Sequence, residues 1–183
     1  LSKHFVNLLR SISINKNIVL SDLSLLDELE KEQVFTTFNK TRKNPLPTLA
    51  VSVLFEQMVE LMPSQTAVVS EIKSLTYSEL NEQANRLAHK LKENGVGKDS
   101  IVNILLEPSI EMFIGIFGVL KAGGAYLPID ISYPKERIQY IIGETDSRWL
   151  LTKKEFSEGL DFTGDIIDFT DTGNLDNYPS SNP

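Results

Sequence analysis

The chain has 183 residues, with 18 Lys and Arg against 25 Asp and Glu, a formal net charge of −7 and no cysteine. Its apolar fraction of 41% is enough to build a packed core, which excludes a disordered chain. The lack of cysteine excludes disulfides, thiolate metal sites and thiol nucleophiles. It is compatible with the reducing cytoplasm, where we expect the protein to work.

The negative charge is concentrated near the end of the chain. No Lys or Arg follows Lys154, whereas seven acidic residues do, so residues 1–154 are formally neutral. Phosphate contacts need clustered cations, and we therefore expect no nucleic-acid partner. The most apolar stretch, residues 112–120, has nine residues, against the roughly 20 that span a bilayer, so no membrane partner is expected.

The first part of the chain predicts two amphipathic helices. Residues 2–14 carry apolar side chains at helical spacing, and residues 25–38 repeat this pattern with acids near the start, where the helix dipole favours them. Each helix needs a partner to cover its apolar face. Residues 39–49 then combine two prolines with three cations and predict an interdomain linker.

The elements after the linker begin with a short helix capped by Ser52 and ended by Pro63. Short strands are predicted at residues 66–69 and 74–76. Thr76 stands three residues before Glu79, so hydroxyl and carboxylate can satisfy each other's backbone amides as a capping box for a helix that stops at Gly95.

An alternation of strand and helix follows. Residues 101–106 predict a strand, residues 109–122 a helix and residues 125–129 a second strand, which together make a βαβ unit with parallel pairing. Pro134 then begins another helix, and residues 149–152 predict one more strand. The fold class is therefore α/β, with a sheet covered on both faces.

The search for chemistry finds no active site. Residues 118–124, GVLKAGG, space their glycines like a phosphate loop, but they lie where a helix ends, so a helix C-cap is favoured. His4 and His89 have no metal-ligand partner at the right spacing and are predicted to be surface residues. Asp165 and Asp168 are interpreted as acids of a solvated loop rather than as an acid–base pair.

Both ends of the chain indicate a fragment. It begins with Leu1 rather than Met, and residues 171–183 form a polar run with two prolines that is typical of a loop.

Two stretches resemble the adenylation domains of nonribosomal peptide synthetases. Residues 75–88, LTYSELNEQANRLA, resemble the first conserved motif of these domains. Residues 120–130, LKAGGAYLPID, with residues 133–138, YPKERI, resemble the second motif. Both are long, and they occur in the family's order and separation.

The resemblance extends upstream and gives a domain plan. Residues 1–38 resemble the C-terminal tail of a condensation domain, residues 39–49 its linker, and residues 50–183 the N-terminal part of an adenylation domain. The condensation-domain tail favours a peptide synthetase over acyl-CoA synthetases and luciferases. The resemblance thus implies the N-terminal part of an adenylate-forming, AMP-binding fold with βαβ units, preceded by helices.

The resemblance also implies a function for the intact enzyme, which joins an amino acid to AMP with ATP and magnesium and loads it onto phosphopantetheine. Its partners would be the rest of the adenylation domain, the condensation domain and the peptidyl carrier domain. In the family, the groups that grip ATP follow the last residue present here. We therefore assign no catalytic, cofactor-binding or metal residue and expect no cofactor to bind this chain alone; the amino acid activated is not readable.

Two other functions stay open at this stage. The helices before residue 39 could dock on the α/β unit as a non-catalytic platform for a neighbouring domain, which an apolar patch on residues 2–38 would favour. A free-standing α/β nucleotide or signalling domain is the other alternative, and it requires an uninterrupted, independently stable sheet.

Overall fold

The computed structural model describes residues 2–41, 49–169 and 175–183. The chain divides into two compact units, residues 1–48 and residues 49–183. The predicted linker lies largely outside the described residues, as does the first part of the predicted loop at residues 171–183. The predicted domain boundaries therefore stay predictions.

The first unit contains the two predicted helices. α1 spans Ser2–Ile14, as predicted, and a 3-10 turn at Leu20–Asp22 follows. α2 begins at Glu28–Lys31 and continues as a π-helical turn at Glu32–Thr37. It starts three residues later than predicted because Asp27 forms a capping box with Glu30, which fixes the first turn.

Ion pairs join α1 to the start of α2, while apolar side chains stay exposed. Lys3 Nζ lies 2.7 Å from Asp27 Oδ2 and 3.7 Å from Glu30 Oε1. The hydrogen bond to Asp27 raises the pKa of Lys3 and lowers that of Asp27. Leu29 is 80% exposed and Phe35 is 69% exposed, so the apolar face predicted to need a partner is uncovered.

The second unit opens with α3, a hairpin and α4. α3 spans Val51–Leu61, and its N-cap residue is Ala50, which makes no side-chain capping hydrogen bond. The prediction that Ser52 caps this helix is therefore wrong. Strands β1, Thr66–Val69, and β2, Ser74–Thr76, pair antiparallel as a hairpin. α4 spans Tyr77–Glu93 and has the predicted Thr76–Glu79 capping box.

The rest of the unit is a parallel sheet with crossover helices. Its elements are β3 (Ile101–Leu105), α5 (Ile110–Ala122), β4 (Ala125–Ile129), α6 (Lys135–Glu144), β5 (Trp149–Thr152), α7 (Lys154–Ser157) and β6 (Asp165–Asp168). The strand order is β4-β3-β5-β6, and every neighbouring pair is parallel. The predicted α/β class and its βαβ unit are confirmed.

Each face of the sheet packs on its own hydrophobic core. Val102 and Ile104 of β3 join the cluster that contains buried residues of α4 and α5. Leu105 joins a separate cluster with Ile138 and Ile142 of α6. This alternation along β3 is the period of two that a strand buried on both faces requires.

Among the helices of the described ranges, none combines the length and the apolar character needed to cross a membrane.

Candidate functional site

The strand order β4-β3-β5-β6 changes at β3 the side of the sheet on which the next strand is added. β3 connects to β4 on one side, and the chain then returns to place β5 on the other side of β3. In open α/β sheets, a crevice forms beyond the carboxyl ends of the strands at such a point. The carboxyl ends of β3 and β5 therefore mark the candidate site.

Two opposite charges lie at this edge. Glu107 follows β3 and Lys153 follows β5, and the Lys153 Nζ donates a short, charge-assisted hydrogen bond to Glu107 Oε1. This hydrogen bond raises the pKa of Lys153, with further contributions from the charges of Glu111 and Glu155. Lys153 therefore stays protonated beside the Glu107 carboxylate and is not available as a general base.

A groove of about 820 Å³ opens beside this pair. One wall is the β1–β2 hairpin, whose turn carries Glu71 and Lys73, and the other is the start of α5. Ile72 at the tip of the hairpin is 98% exposed. The groove is thus lined by apolar side chains and by both acidic and basic side chains.

The residues at this edge do not fit a triphosphate with its magnesium ion. Glu71, Glu107 and Glu111 line the groove and oppose an anion, Lys153 is already paired with a carboxylate, and Lys73 is the other lysine of the lining. At the start of α5, Ser109 Oγ accepts a hydrogen bond from the Met112 backbone amide at 3.3 Å, so this N-terminus is capped by its own side chain. Within the described ranges no group of three His, Cys, Asp or Glu side chains could hold a metal ion.

The glycine-rich stretch at residues 118–124 is the end of a helix, as predicted. Gly123 caps α5 in the left-handed conformation, with φ of 87°, and its amide donates to Leu120 O. β4 begins two residues later. Carbonyl groups, not amides, point outward from this end of a helix, so it offers nothing to a phosphate.

The two histidines lie partly exposed at the surface, as predicted. His4 Nε2 lies 3.3 Å from Glu30 Oε1, and His89 Nε2 lies 3.0 Å from the carbonyl oxygen of Ser181. Neither partner was visible from the sequence, because each contact joins residues far apart in the chain. Within the described ranges each histidine ring contacts one oxygen atom. This arrangement is a hydrogen bond and does not form a metal site.

Asp165 and Asp168 lie in a strand, so the interpretation of both as acids of a solvated loop is wrong. They are the first and last residues of β6, which pairs with β5 at the edge of the sheet. Asp168 Oδ1 accepts a hydrogen bond from the Lys154 backbone amide at 3.2 Å. This contact anchors the start of α7 beside the strand.

Comparison with known families identifies the fold. The model of a family described as "AMP-binding enzyme" matches residues 55–176, which is more than half of the chain. The chain belongs to the AMP-binding enzyme family. The matched residues run from the middle of α3 to residue 176 and include the whole parallel sheet.

Curated relatives place the match within long synthases. Bacitracin synthase 2 of Bacillus licheniformis is 44% identical over 187 residues, which cover 98% of this chain and 7% of the relative. Gramicidin S synthase 2 of Brevibacillus brevis is 41% identical and covers 91% of the chain and 4% of the relative. The chain thus spans less than a tenth of these relatives, and its predicted resemblance to nonribosomal peptide synthetases is confirmed.

Solved structures share the fold. A nonribosomal peptide synthetase, FmoA3, in its alpha-methyl-L-serine-AMP bound form superposes with a TM-score of 0.78 at 22% identity, covering 98% of this chain and 20% of that one. Its AMPPNP-bound form gives a TM-score of 0.78 at 23% identity. At this identity the likeness concerns the fold alone, and it confirms the predicted adenylate-forming fold.

Sequence reasoning missed the Glu107–Lys153 pair. The signal was present, since each residue comes within two positions of the end of an apolar strand and the carboxyl ends of parallel strands share an edge. The pairing itself needed the strand order, because only neighbouring strands bring their following loops into contact.

Proposed function

We propose that this chain is the front of the amino-acid-activating domain of a nonribosomal peptide synthetase. The observation that carries the proposal is the AMP-binding match to residues 55–176 within a region 44% identical to bacitracin synthase 2. In this proposal the intact domain joins an amino acid to AMP, using ATP and Mg²⁺, and passes the acyl group to a phosphopantetheine thiol on a carrier domain.

The contribution of this chain to that reaction is a scaffold. The parallel sheet and its helices bury two cores on opposite faces, while the charged groups at the carboxyl edge neutralise each other. Catalysis of phosphoryl chemistry depends on donors aimed at the developing charge. Because Lys153, the lysine at the carboxyl edge of the sheet, is already paired with Glu107, we propose that those groups come from other parts of the synthetase.

Calorimetry with Mg²⁺·ATP tests the scaffold role. The chain alone is expected to give no heat of binding in the micromolar range. Lys153→Met is the matched variant, because it removes the amine of the groove and keeps most of its apolar stem. Micromolar binding by the chain that disappears in this variant would show that the groove does hold the nucleotide, and the scaffold proposal would fail.

Exchange of pyrophosphate into ATP tests the activating function. The synthetase that contains this chain should catalyse amino-acid-dependent exchange, whereas the 183-residue chain alone should not exceed the enzyme-free rate. Each of the common amino acids is supplied in turn, which also reveals the substrate. Exchange by the chain alone, or none by the synthetase with any amino acid, contradicts the proposal.

A second function is favoured by the exposed apolar face of the first unit. Leu29 and Phe35 of α2 and its π-helical continuation are among the large apolar side chains of residues 2–38 that face solvent. We propose as the alternative that this unit is a platform on which the body of a condensation domain packs. Replacement of both side chains by serine should weaken co-purification of that domain while the circular dichroism of the chain stays unchanged.

A further inference from the structure

The C-terminal segment, residues 175–183, lies along α4. Asn85 Nδ2 donates a hydrogen bond of 2.6 Å to the carbonyl oxygen of Ser180. His89 Nε2 lies 3.0 Å from the carbonyl oxygen of Ser181. Asn85 and His89 are one helical turn apart, so a single face of α4 follows the backbone of the segment.

One side chain of the segment collects donors from two helices. Asn182 Oδ1 lies 3.3 Å from Asn81 Nδ2, 3.1 Å from Asn85 Nδ2 and 3.2 Å from Lys121 Nζ. Asn81 and Asn85 belong to α4, whereas Lys121 belongs to the last turn of α5. We call these four residues the asparagine cluster. It fixes the segment against both helices at once.

Two donors of this cluster, those of Lys121 and Asn85, are buried and therefore need acceptors. The side chain of Lys121 is 1% exposed, and its amine also donates to Glu56 on α3. Asn85 is 0% exposed. Burial lowers the pKa of Lys121, although the hydrogen bond to Glu56 opposes the shift. A buried amide without acceptors is costly, and both acceptors of Asn85 Nδ2 lie in the segment, so this amide requires the segment to be in place, whereas Lys121 also has Glu56.

Ordinary packing does not explain these residues. Leu175 packs against the main core and would hold the start of the segment by itself. The amide of Asn85 instead donates to Ser180 and Asn182, and its Oδ1 accepts no hydrogen bond from the described residues. An apolar residue at this position of α4 would fill the same space without leaving an unpaired oxygen. The amide thus serves the segment rather than the helix.

We propose that Asn85 and Lys121 are positioning residues, which hold Ser180–Asn182 in one register on α4 and α5 and so set the path of the chain at this end. In the synthetase proposed above, and resting on that proposal, the same contacts orient the polypeptide that continues from this segment. Neither residue contacts a reacting group in this role. They act through the segment.

Relaxation of the backbone ¹⁵N nuclei in the 183-residue chain tests the proposal. Order parameters of Ser181 and Asn182 are expected near the roughly 0.85 of rigid backbone, and they should fall below about 0.6 in Asn182→Ala, which removes the shared acceptor. Asn182→Asp keeps an acceptor oxygen beside Lys121 and should retain the rigid values. Asn177→Ala is the matched control, since the Asn177 side chain is exposed and makes no hydrogen bond within the described ranges.

Two further variants test the positioning residues directly. Asn85→Ala and Lys121→Met should each lower the order parameters at residues 180–182 while those of β3 stay unchanged. Should either variant fail to fold, the Asn182 pair still decides, because that residue lies in the segment and outside the core. Rigid values in Asn182→Ala, or equal losses in Asn182→Ala and Asn182→Asp, overturn the proposal.

The relaxation experiment is independent of the activating function. It uses the chain without nucleotide, so a mobile segment refutes the positioning role and leaves pyrophosphate exchange untouched. Absence of exchange in the synthetase refutes the activating function and leaves the order parameters untouched.

Discussion

Gly118 of α5 lies directly against Leu87 of α4. A β-carbon built on Gly118 would meet Leu87 Cδ2 at 2.6 Å and Leu87 Cγ at 2.8 Å, which is closer than carbon atoms approach. Leu87 is fully buried within the main core and has no space into which to retreat. The absence of a side chain at Gly118 therefore permits the close packing of the two helices on one face of the sheet.

Gly118→Ala should destabilise the chain. Overpacking of a filled core costs about 1–3 kcal/mol, which exceeds the roughly 1 kcal/mol that alanine adds in helix propensity. Urea unfolding followed by circular dichroism measures the change. Gly143→Ala on α6 is the control, since no heavy atom of residues 2–41, 49–169 and 175–183 lies within 4 Å of its built β-carbon, and it should leave stability unchanged or raise it. Equal effects of the two substitutions would contradict this packing.

Thr76→Ala should weaken the start of α4. The Thr76 hydroxyl accepts a hydrogen bond from the Glu79 amide at 3.2 Å, and the Glu79 carboxylate accepts one from the Thr76 amide at 2.8 Å. Loss of an N-cap hydroxyl costs about 1 kcal/mol. Thr76→Ser keeps the hydroxyl and should stay close to the native midpoint in urea. A loss of the same size in both variants would show that the methyl group, not the cap, matters.

The capping box should also depend on pH. The hydrogen bond from the Thr76 backbone amide lowers the pKa of Glu79 from its ordinary 4.5. A carboxyl with a lowered folded pKa adds stability above the unfolded pKa and loses it as pH falls through the folded pKa. The stability difference between the native chain and Glu79→Gln should therefore be constant at neutral pH and shrink below pH 4.5. A constant difference throughout acid unfolding contradicts the linkage.

Most of the fold was predictable because local signals agreed with it. The capping box at Thr76, the glycine cap at Gly123 and the apolar strand at β5 each depend on neighbours in sequence. β6 was not predicted, because its four residues, DIID, begin and end with acids and resemble a loop. Its pairing with β5 supplies the backbone hydrogen bonds that the sequence pattern does not reveal.

The long-range polar contacts could not be predicted from the sequence. The polar run at the end of the chain predicted a loop, yet Asn182 lies 3.2 Å from Lys121 across 61 positions of sequence. Glu107 and Lys153 are 46 positions apart. Such contacts depend on how helices and strands pack, and the residues that make them resemble ordinary surface polar residues in the sequence.

Thr145→Val should destabilise the chain, because it removes a hydrogen-bond acceptor of the buried Asn103 amide. Asn103 is fully buried in β3, and its Nδ2 donates to Thr145 Oγ1 at 3.3 Å. Valine keeps the shape of threonine but leaves the amide without this acceptor, at a cost of about 1–3 kcal/mol. Thr145→Ser, which keeps the hydroxyl, should lose less in urea unfolding. The reverse order of the two variants would assign the effect to the lost methyl group.

Glu56→Gln should destabilise the second unit, because it leaves the buried Lys121 cation without its carboxylate. Breaking a buried ion pair costs about 3–5 kcal/mol, and we expect the lower end of that range, since the Glu56 side chain is partly solvated. Glu60→Gln, at an exposed position of the same helix, is the control and should change stability by less than about 0.5 kcal/mol. The double variant Glu56→Gln with Lys121→Met removes the unpaired charge and should recover part of the loss, as measured by the urea midpoint. No recovery would show that the lysine is not held as a cation in this pair.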